Sequence, residues 1–123
     1  MNLYYAMGGG LGHLTRAVAF LRDLEIENDS IILSSSDFLA DKRVVGNIRT
    51  ISVEKSLEND HLTYQKYLQN LFAELKPQKI FFDSFPLGII GEFSGFKFDK
   101  SIELNYLARH VRWKNYSALI GEE

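Results

Sequence analysis

The chain has 123 residues, of which 46% are hydrophobic and 24% charged, and this balance excludes a disordered protein because it provides enough apolar side chains for a core. Fourteen Lys and Arg residues against sixteen Asp and Glu leave a formal net charge of −2, which argues against a domain that binds a nucleic-acid backbone. The absence of cysteine excludes disulfides and thiolate metal sites, and the three scattered histidines lack the short ligand spacing of structural zinc, so we expect no metal site and no cofactor.

The chain shows no signal for membrane targeting. Residues 1–7 have no basic flank, and their apolar stretch stops at Gly8, too early for the core of a signal peptide. No later apolar run approaches the length of a membrane span. We therefore expect no transmembrane segment and a cytoplasmic location.

The first part of the chain predicts a strand, a glycine-rich loop, a helix and a second strand. Residues 2–7 are a short apolar and aromatic run typical of a buried strand, and residues 8–12 contain four glycines typical of a tight loop. A helix is predicted from His13. Its apolar residues recur at helical spacing: Leu14, Ala17, Val18, Leu21 and Leu24. The run Ser30–Ser34 follows a turn at residues 28–29 and predicts a strand covered by helices on both faces.

The middle of the chain predicts two further helices and a third strand. Ser36 and Asp37 are candidate caps for a short helix over residues 38–45, and residues 47–53 predict the third strand. Asp60 is predicted to cap a longer helix. The apolar stripe of that helix is Tyr64, Leu68, Leu71, Phe72 and Leu75, and Pro77 stops it.

The last part begins with a fourth buried strand, Lys79–Asp83, which ends at a carboxylate. Residues 84–95 are rich in glycine and predict a loop with a short helix near residues 87–93. Residues 102–107 predict the fifth strand, and residues 108–116 are basic and aromatic.

This alternation predicts an α/β fold, a single Rossmann-like domain over residues 1–123 with a doubly wound parallel sheet in three α/β/α layers. The economical strand order is 3-2-1-4-5, which places the topological switch between the first and fourth strands. Parallel sheets of this kind bind ligands at the carboxyl edge beside the switch. Residues 8–13 and 83–91 should therefore be neighbours.

The glycine-rich loop predicts an anion site. Glycine lets backbone N–H groups approach a ligand, and the following helix start adds partial positive charge, although a tight turn alone would also explain the glycines. Gly8 and Gly10 match the first two glycines of a dinucleotide fingerprint, and Asp37 stands near the position of its ribose-binding carboxylate. His13 occupies the third glycine position, so NAD or flavin binding is the second hypothesis.

His13 and Asp83 are the candidate catalytic pair. At a helix start the dipole disfavours imidazolium, so a neutral ring that accepts a proton is expected, as in a general base. Asp83 would accept a ring N–H and fix the tautomer. The alternatives are that His13 only packs at the helix start and that Asp83 only caps the following loop.

Three further charged residues are candidate ligand-binding residues. Arg16 stands one turn into the first helix, within reach of an anion on the glycine loop, or is an ordinary exposed arginine. Glu92 is either a second acid of the site or a surface residue. Arg109 belongs to a basic and aromatic cluster that contacts a phosphorylated ligand or partner, or simply forms a solvated helix surface. His61 is expected on a helix surface.

Three ordered motifs resemble the acceptor-side domain of GT-B glycosyltransferases. Residues 7–17, MGGGLGHLTRA, look like the first glycine loop and helix of the group related to the N-acetylglucosaminyltransferase of peptidoglycan synthesis, and especially of predicted glycosyltransferases with a GGGxGHxxR loop. Residues 83–92, DSFPLGIIGE, are similar to that group's Asp-x-Phe-Pro motif. Residues 107–109 with Trp113 and Tyr116 resemble the strand end and helix that follow.

The resemblance implies an inverting glycosyltransferase that uses a nucleotide-sugar donor. In that family two Rossmann-like domains face each other, the N-terminal one holding the acceptor and the C-terminal one the donor. The implied partners are a donor-binding half, from the same gene or a separate subunit, and a sugar or lipid-linked acceptor. By this resemblance Gly9, Gly10 and Gly12 would line the acceptor or its phosphates, and His13, oriented by Asp83, would help deprotonate the acceptor hydroxyl.

Overall fold

The computed structural model describes residues 1–7, 11–83 and 98–107. Its strands are β1 (Asn2–Tyr5), β2 (Ser30–Ser34), β3 (Arg49–Ser52), β4 (Lys79–Asp83) and β5 (Glu103–Leu107). Its α-helices are α1 (Leu11–Asp23), α2 (Lys42–Val45) and α3 (His61–Leu75), with short 3₁₀ turns at Glu27–Asp29 and Lys55–Asn59. The predicted segments 84–95, 87–93 and 108–116 lie outside the described residues.

The five strands form one parallel sheet in the order β3-β2-β1-β4-β5. Tyr5 of β1 aligns with Leu33 of β2 on one side and with Phe82 of β4 on the other. The predicted fold class and strand order are confirmed, and the switch lies between β1 and β4. The carboxyl ends of these strands therefore share one edge of the sheet.

The sheet is covered on both faces, because successive strand residues point to opposite sides. Leu3 and Tyr5 of β1 pack into one core with residues of α3, whereas Tyr4 packs into a second core with residues of α1 and α2. All three side chains are buried. Helices on both faces explain why β1, β2 and β4 have continuous apolar runs rather than alternating ones.

Helix α1 ends differently from the prediction, and Leu24 is exposed instead of completing the apolar stripe. Glu25 adopts a left-handed conformation (φ 57°), its N–H donates to Arg22 O, and the N–H of Ile26 donates to Leu21 O. This is a Schellman arrangement, in which the residue after the left-handed position folds back on the helix. Ile26 therefore packs against the core in the place predicted for Leu24.

Helix α2 is shorter than predicted and has a different cap. Residues 37–40 form turns, and Ser36 Oγ accepts a hydrogen bond from Phe38 N–H inside them. Asp41 caps the helix by accepting from Arg43 N–H at 2.9 Å. Hydrogen bonds from the Arg43 side chain and backbone lower the pKa of Asp41. The predicted capping role of Ser36 and Asp37 is wrong because local turns satisfy that stretch of backbone first.

Helix α3 agrees with the prediction. Asp60 accepts from Thr63 N–H at 3.2 Å and caps the helix start, and Lys76 in a left-handed conformation (φ 47°) ends it just before Pro77. Tyr64, Leu68 and Phe72 are buried, while the other two residues of the predicted stripe are partly buried against the same core. In the described residues, no helix is both long enough and apolar enough to cross a membrane.

Candidate functional site

His13 and Asp83 meet at the carboxyl edge of the sheet. Asp83 is the last residue of β4, and His13 lies in the first turn of α1, which follows β1. His13 Nδ1 and Asp83 Oδ2 are 2.9 Å apart, although 70 residues separate them in the chain. The contact predicted from the strand order is therefore present.

The partner of Nδ1 determines the ring tautomer. An ionised carboxylate only accepts hydrogen bonds, so Nδ1 must carry the proton and donate it to Oδ2. In a neutral ring the other nitrogen, Nε2, is then the proton acceptor. The His13 side chain is 19% exposed, which leaves part of the ring accessible to a ligand.

Arg16 is the third member of this cluster. Its Nη2 atom lies 3.4 Å from Asp83 Oδ2 and 3.4 Å from His13 Nδ1. Because Nδ1 already carries a proton, the arginine donates to the carboxylate and not to the ring. Residues three apart share a helix face, so His13 and Arg16 reach the same carboxylate from α1. From the sequence, Arg16 was expected either to reach an anion on the glycine loop or to be an ordinary exposed arginine. The three-residue spacing between Arg16 and His13 was the available signal for the contact with Asp83.

Asp83 is a buried charge with charged and polar partners. Its side chain is 1% exposed, whereas that of Arg16 is 43% exposed. A buried carboxylate is costly unless paired and hydrogen-bonded, and the guanidinium and the imidazole N–H supply that compensation. The arrangement holds Asp83 as an acceptor aimed at His13, which is the geometry of an oriented general base.

The structure describes only some of the other predicted site residues. Gly12 lies in the first turn of α1, and a Cβ added there would meet open space. Gly9, Gly10, Glu92 and Arg109 lie outside the described residues, as does Gly8. His61 begins α3 and is exposed, as expected. Among the described residues, no group of three or more His, Cys, Asp or Glu side chains could hold a metal ion.

An ion pair lies at the same carboxyl edge of the sheet, beyond the ends of β2 and β3. Asp37, which follows β2, forms an ion pair of 2.9 Å with Lys55, which follows β3. The two residues border an open groove of about 660 Å³. From the sequence, Asp37 was a candidate helix cap and a candidate ribose ligand, and Lys55 was not singled out. The available signal was that polar residues follow both apolar runs at adjacent strand ends.

The fold and this site define a Rossmann-like α/β protein with an oriented histidine beside its topological switch. None of the family models, curated proteins or solved structures compared with the chain matches it.

Proposed function

We propose that this chain is the acceptor-side domain of an inverting glycosyltransferase, working with a donor-binding half that supplies the nucleotide sugar. The proposal joins the three sequence motifs that resemble this class to the arrangement of His13 and Asp83. The observation that carries it is the 2.9 Å hydrogen bond between His13 Nδ1 and the buried carboxylate of Asp83. This contact leaves Nε2 of His13 as the proton acceptor.

In the proposed reaction, His13 Nε2 removes the proton of an acceptor hydroxyl. The hydroxyl oxygen attacks the anomeric carbon of the donor, a new C–O bond forms, and the bond to the leaving nucleoside diphosphate breaks with its electron pair. Inversion requires the base on the face opposite the leaving group, which assigns it to the acceptor side. Asp83 stabilises the positive charge that the ring gains.

The test requires an active assembly. Candidate donor-binding halves are sought in any coding sequence that follows the codon for Glu123 and in the neighbouring genes, and they are co-expressed with the chain. Release of nucleoside diphosphate from UDP- and GDP-sugars is measured with sugar and lipid-linked acceptors. We expect His13→Ala to lower the transfer rate by about 10²–10⁴-fold, the usual contribution of a general base.

Matched variants separate catalysis from folding. Asp83→Asn should lower the rate by roughly tenfold or more, because the amide no longer favours the Nδ1–H tautomer. His61→Ala, at an exposed histidine of α3, should leave the rate unchanged. An active assembly whose rate is the same with and without the His13 ring would contradict the proposal.

A nucleotide-binding module is the second candidate. It is favoured by Asp37, which lies just beyond β2 at the carboxyl edge, where a ribose-binding carboxylate belongs. Titration of the isolated chain with NAD and with flavin nucleotides tests it. Tight binding that Asp37→Ala weakens would support this candidate over the glycosyltransferase.

A further inference from the structure

The groove beyond β2 and β3 is a second candidate binding site, separate from the histidine and its carboxylate partner. Its volume of about 660 Å³ is in the range of small-molecule pockets. Its floor includes the buried side chains of Leu39 and Val53. Hydroxyl-bearing residues line it as well: Ser35, Ser36, Thr50, Ser52 and Ser56.

The charged side chains of the groove favour a neutral ligand over an anionic one. Among the described residues, Asp37, Glu54 and Lys55 are the charged side chains of the lining, and together they carry one net negative charge. A phosphate would meet two carboxylates and one ammonium group, which disfavours it. A polyhydroxy compound has no such conflict, because its hydroxyls both donate to carboxylates and accept from an ammonium group.

The ion pair that borders the groove suits a vicinal diol. Asp37 Oδ1 and Lys55 Nζ are 2.9 Å apart, with side chains 81% and 55% exposed. An exposed ion pair contributes little stability, so a ligand can open it at small cost. Two adjacent hydroxyls would then bond to the carboxylate and the ammonium group together.

The groove also has a suitable position relative to His13. In the strand order, the junction of β2 and β3 lies two strand spacings from the junction of β1 and β4. This separation is roughly 10 Å along the carboxyl edge. A short oligosaccharide can bridge it, with its reacting hydroxyl at His13 and a distal ring in the groove.

We propose that this groove holds a neutral sugar unit of the acceptor, distal to the hydroxyl that reacts, with Asp37 and Lys55 bonded to a pair of adjacent hydroxyls. The assignment of that sugar to an acceptor rests on the proposed glycosyltransferase function. The binding itself is a property of this chain and can be measured without catalysis.

The first test is titration of the isotopically labelled chain with glucose, galactose, mannose, N-acetylglucosamine and cellobiose, followed by backbone amide spectra. We expect at least one sugar to shift the amides of residues 35–37 and 50–56. Adenosine is the second arm, because its ribose also offers a vicinal diol. Shifts in these residues with adenosine alone, or with none of the compounds, would overturn the proposal.

The second test uses variants of the ion pair. Asp37→Asn and Lys55→Met should each weaken binding of the sugar by roughly tenfold, since the first makes the hydrogen-bond acceptor neutral and the second removes the charged donor. Lys79→Met is the matched control, because Lys79 forms an exposed ion pair with Glu103 at the opposite edge of the sheet. Equal affinity of Asp37→Asn and the unsubstituted chain would refute the groove assignment.

The two proposals fail separately. If His13→Ala abolishes transfer in the active assembly while Asp37→Asn leaves the affinity for sugar unchanged, only the groove assignment is lost. If Asp37→Asn weakens sugar binding but His13→Ala leaves transfer unchanged, the groove stands and the catalytic assignment is wrong.

Discussion

Asp83 determines what His13 can do at the scale of single residues. A carboxylate that is almost fully buried at a strand end is stable only with donors around it, and His13 and Arg16 both provide them. Arg16 forms an ion pair with the carboxylate, and the carboxylate accepts a hydrogen bond from the Nδ1 proton of His13. The site is thus a chain of three dependent groups, in which loss of one changes the other two.

The tautomer of His13 is directly measurable. Long-range ¹H–¹⁵N spectra of the neutral ring should show a protonated Nδ1 and an unprotonated Nε2, because Asp83 accepts from Nδ1. Asp83→Asn should reduce this preference, and His61, outside the site, serves as the reference ring. A neutral His13 ring with its proton on Nε2 would show that the hydrogen bond is not formed in solution.

Gly46 is a residue whose backbone requires glycine. It ends α2 with φ 62° and ψ −133°, and its N–H donates to Lys42 O at 2.9 Å. Gly46→Ala should lower the free energy of unfolding by about 1–3 kcal/mol, the cost of a side chain in such a conformation. The Arg22 guanidinium that a Cβ would meet is the end of a flexible side chain, so the strain comes mainly from the backbone.

Urea denaturation measures this difference, with Gly12→Ala as the control. Gly12 is helical and a Cβ there meets open space, so its substitution should leave stability unchanged or slightly raised. Equal stabilities of Gly46→Ala and the unsubstituted chain would contradict the backbone argument.

At the scale of elements, the start of α3 links stability to pH. Hydrogen bonds from the side chain and backbone of Thr63 lower the pKa of Asp60 below its ordinary value of 3.8. A carboxyl whose folded pKa is depressed stabilises the fold at pH above its unfolded value. That contribution is lost as the pH falls through the lower, folded pKa.

Asp60→Ala should therefore reduce stability at neutral pH and have a smaller effect in acid. Asp60→Asn is the matched control, because asparagine also caps helices but does not titrate in this range. Thermal unfolding of the three proteins across the acid range provides the measurement. An Asp60→Ala effect that is the same at every pH would exclude a role for the ionised cap.

At the scale of the whole molecule, one sheet joins two cores. Leu21 of α1 packs in one core and Leu68 of α3 in the other, and both are fully buried. The strands contribute side chains to both cores, so loss of either core exposes the same sheet. We therefore expect unfolding to be one cooperative transition.

Leu21→Ala and Leu68→Ala should each lower the free energy of unfolding by about 2–5 kcal/mol, as in other large-to-small core substitutions. Because the two side chains lie on opposite faces of the sheet, the effects should add in the double variant. Urea denaturation followed by circular dichroism measures this, with Leu62→Ala at an exposed position of α3 as the control. Two separate transitions would show that the cores unfold independently.

The sequence by itself determined the strand order and the meeting of His13 with Asp83. Both follow from local patterns: buried strands have continuous apolar runs, and right-handed crossovers bring the carboxyl ends of β1 and β4 together. The strand order brings a residue at the end of one such strand and another just after its neighbour to the same edge of the sheet. Local spacing was therefore enough to predict that His13 and Asp83 are neighbours.

Only the tertiary structure decided the position of Leu24, the cap of α2, the contact of Arg16 and the ion pair of Asp37 with Lys55. Each depends on which of several backbone groups or side chains forms a given contact, and the local sequence does not show which one does. Ile26 replaces Leu24 because the end of α1 folds back on the core, and Lys55 meets Asp37 because β3 lies beside β2. Such outcomes depend on which backbone groups and charges are already satisfied in three dimensions.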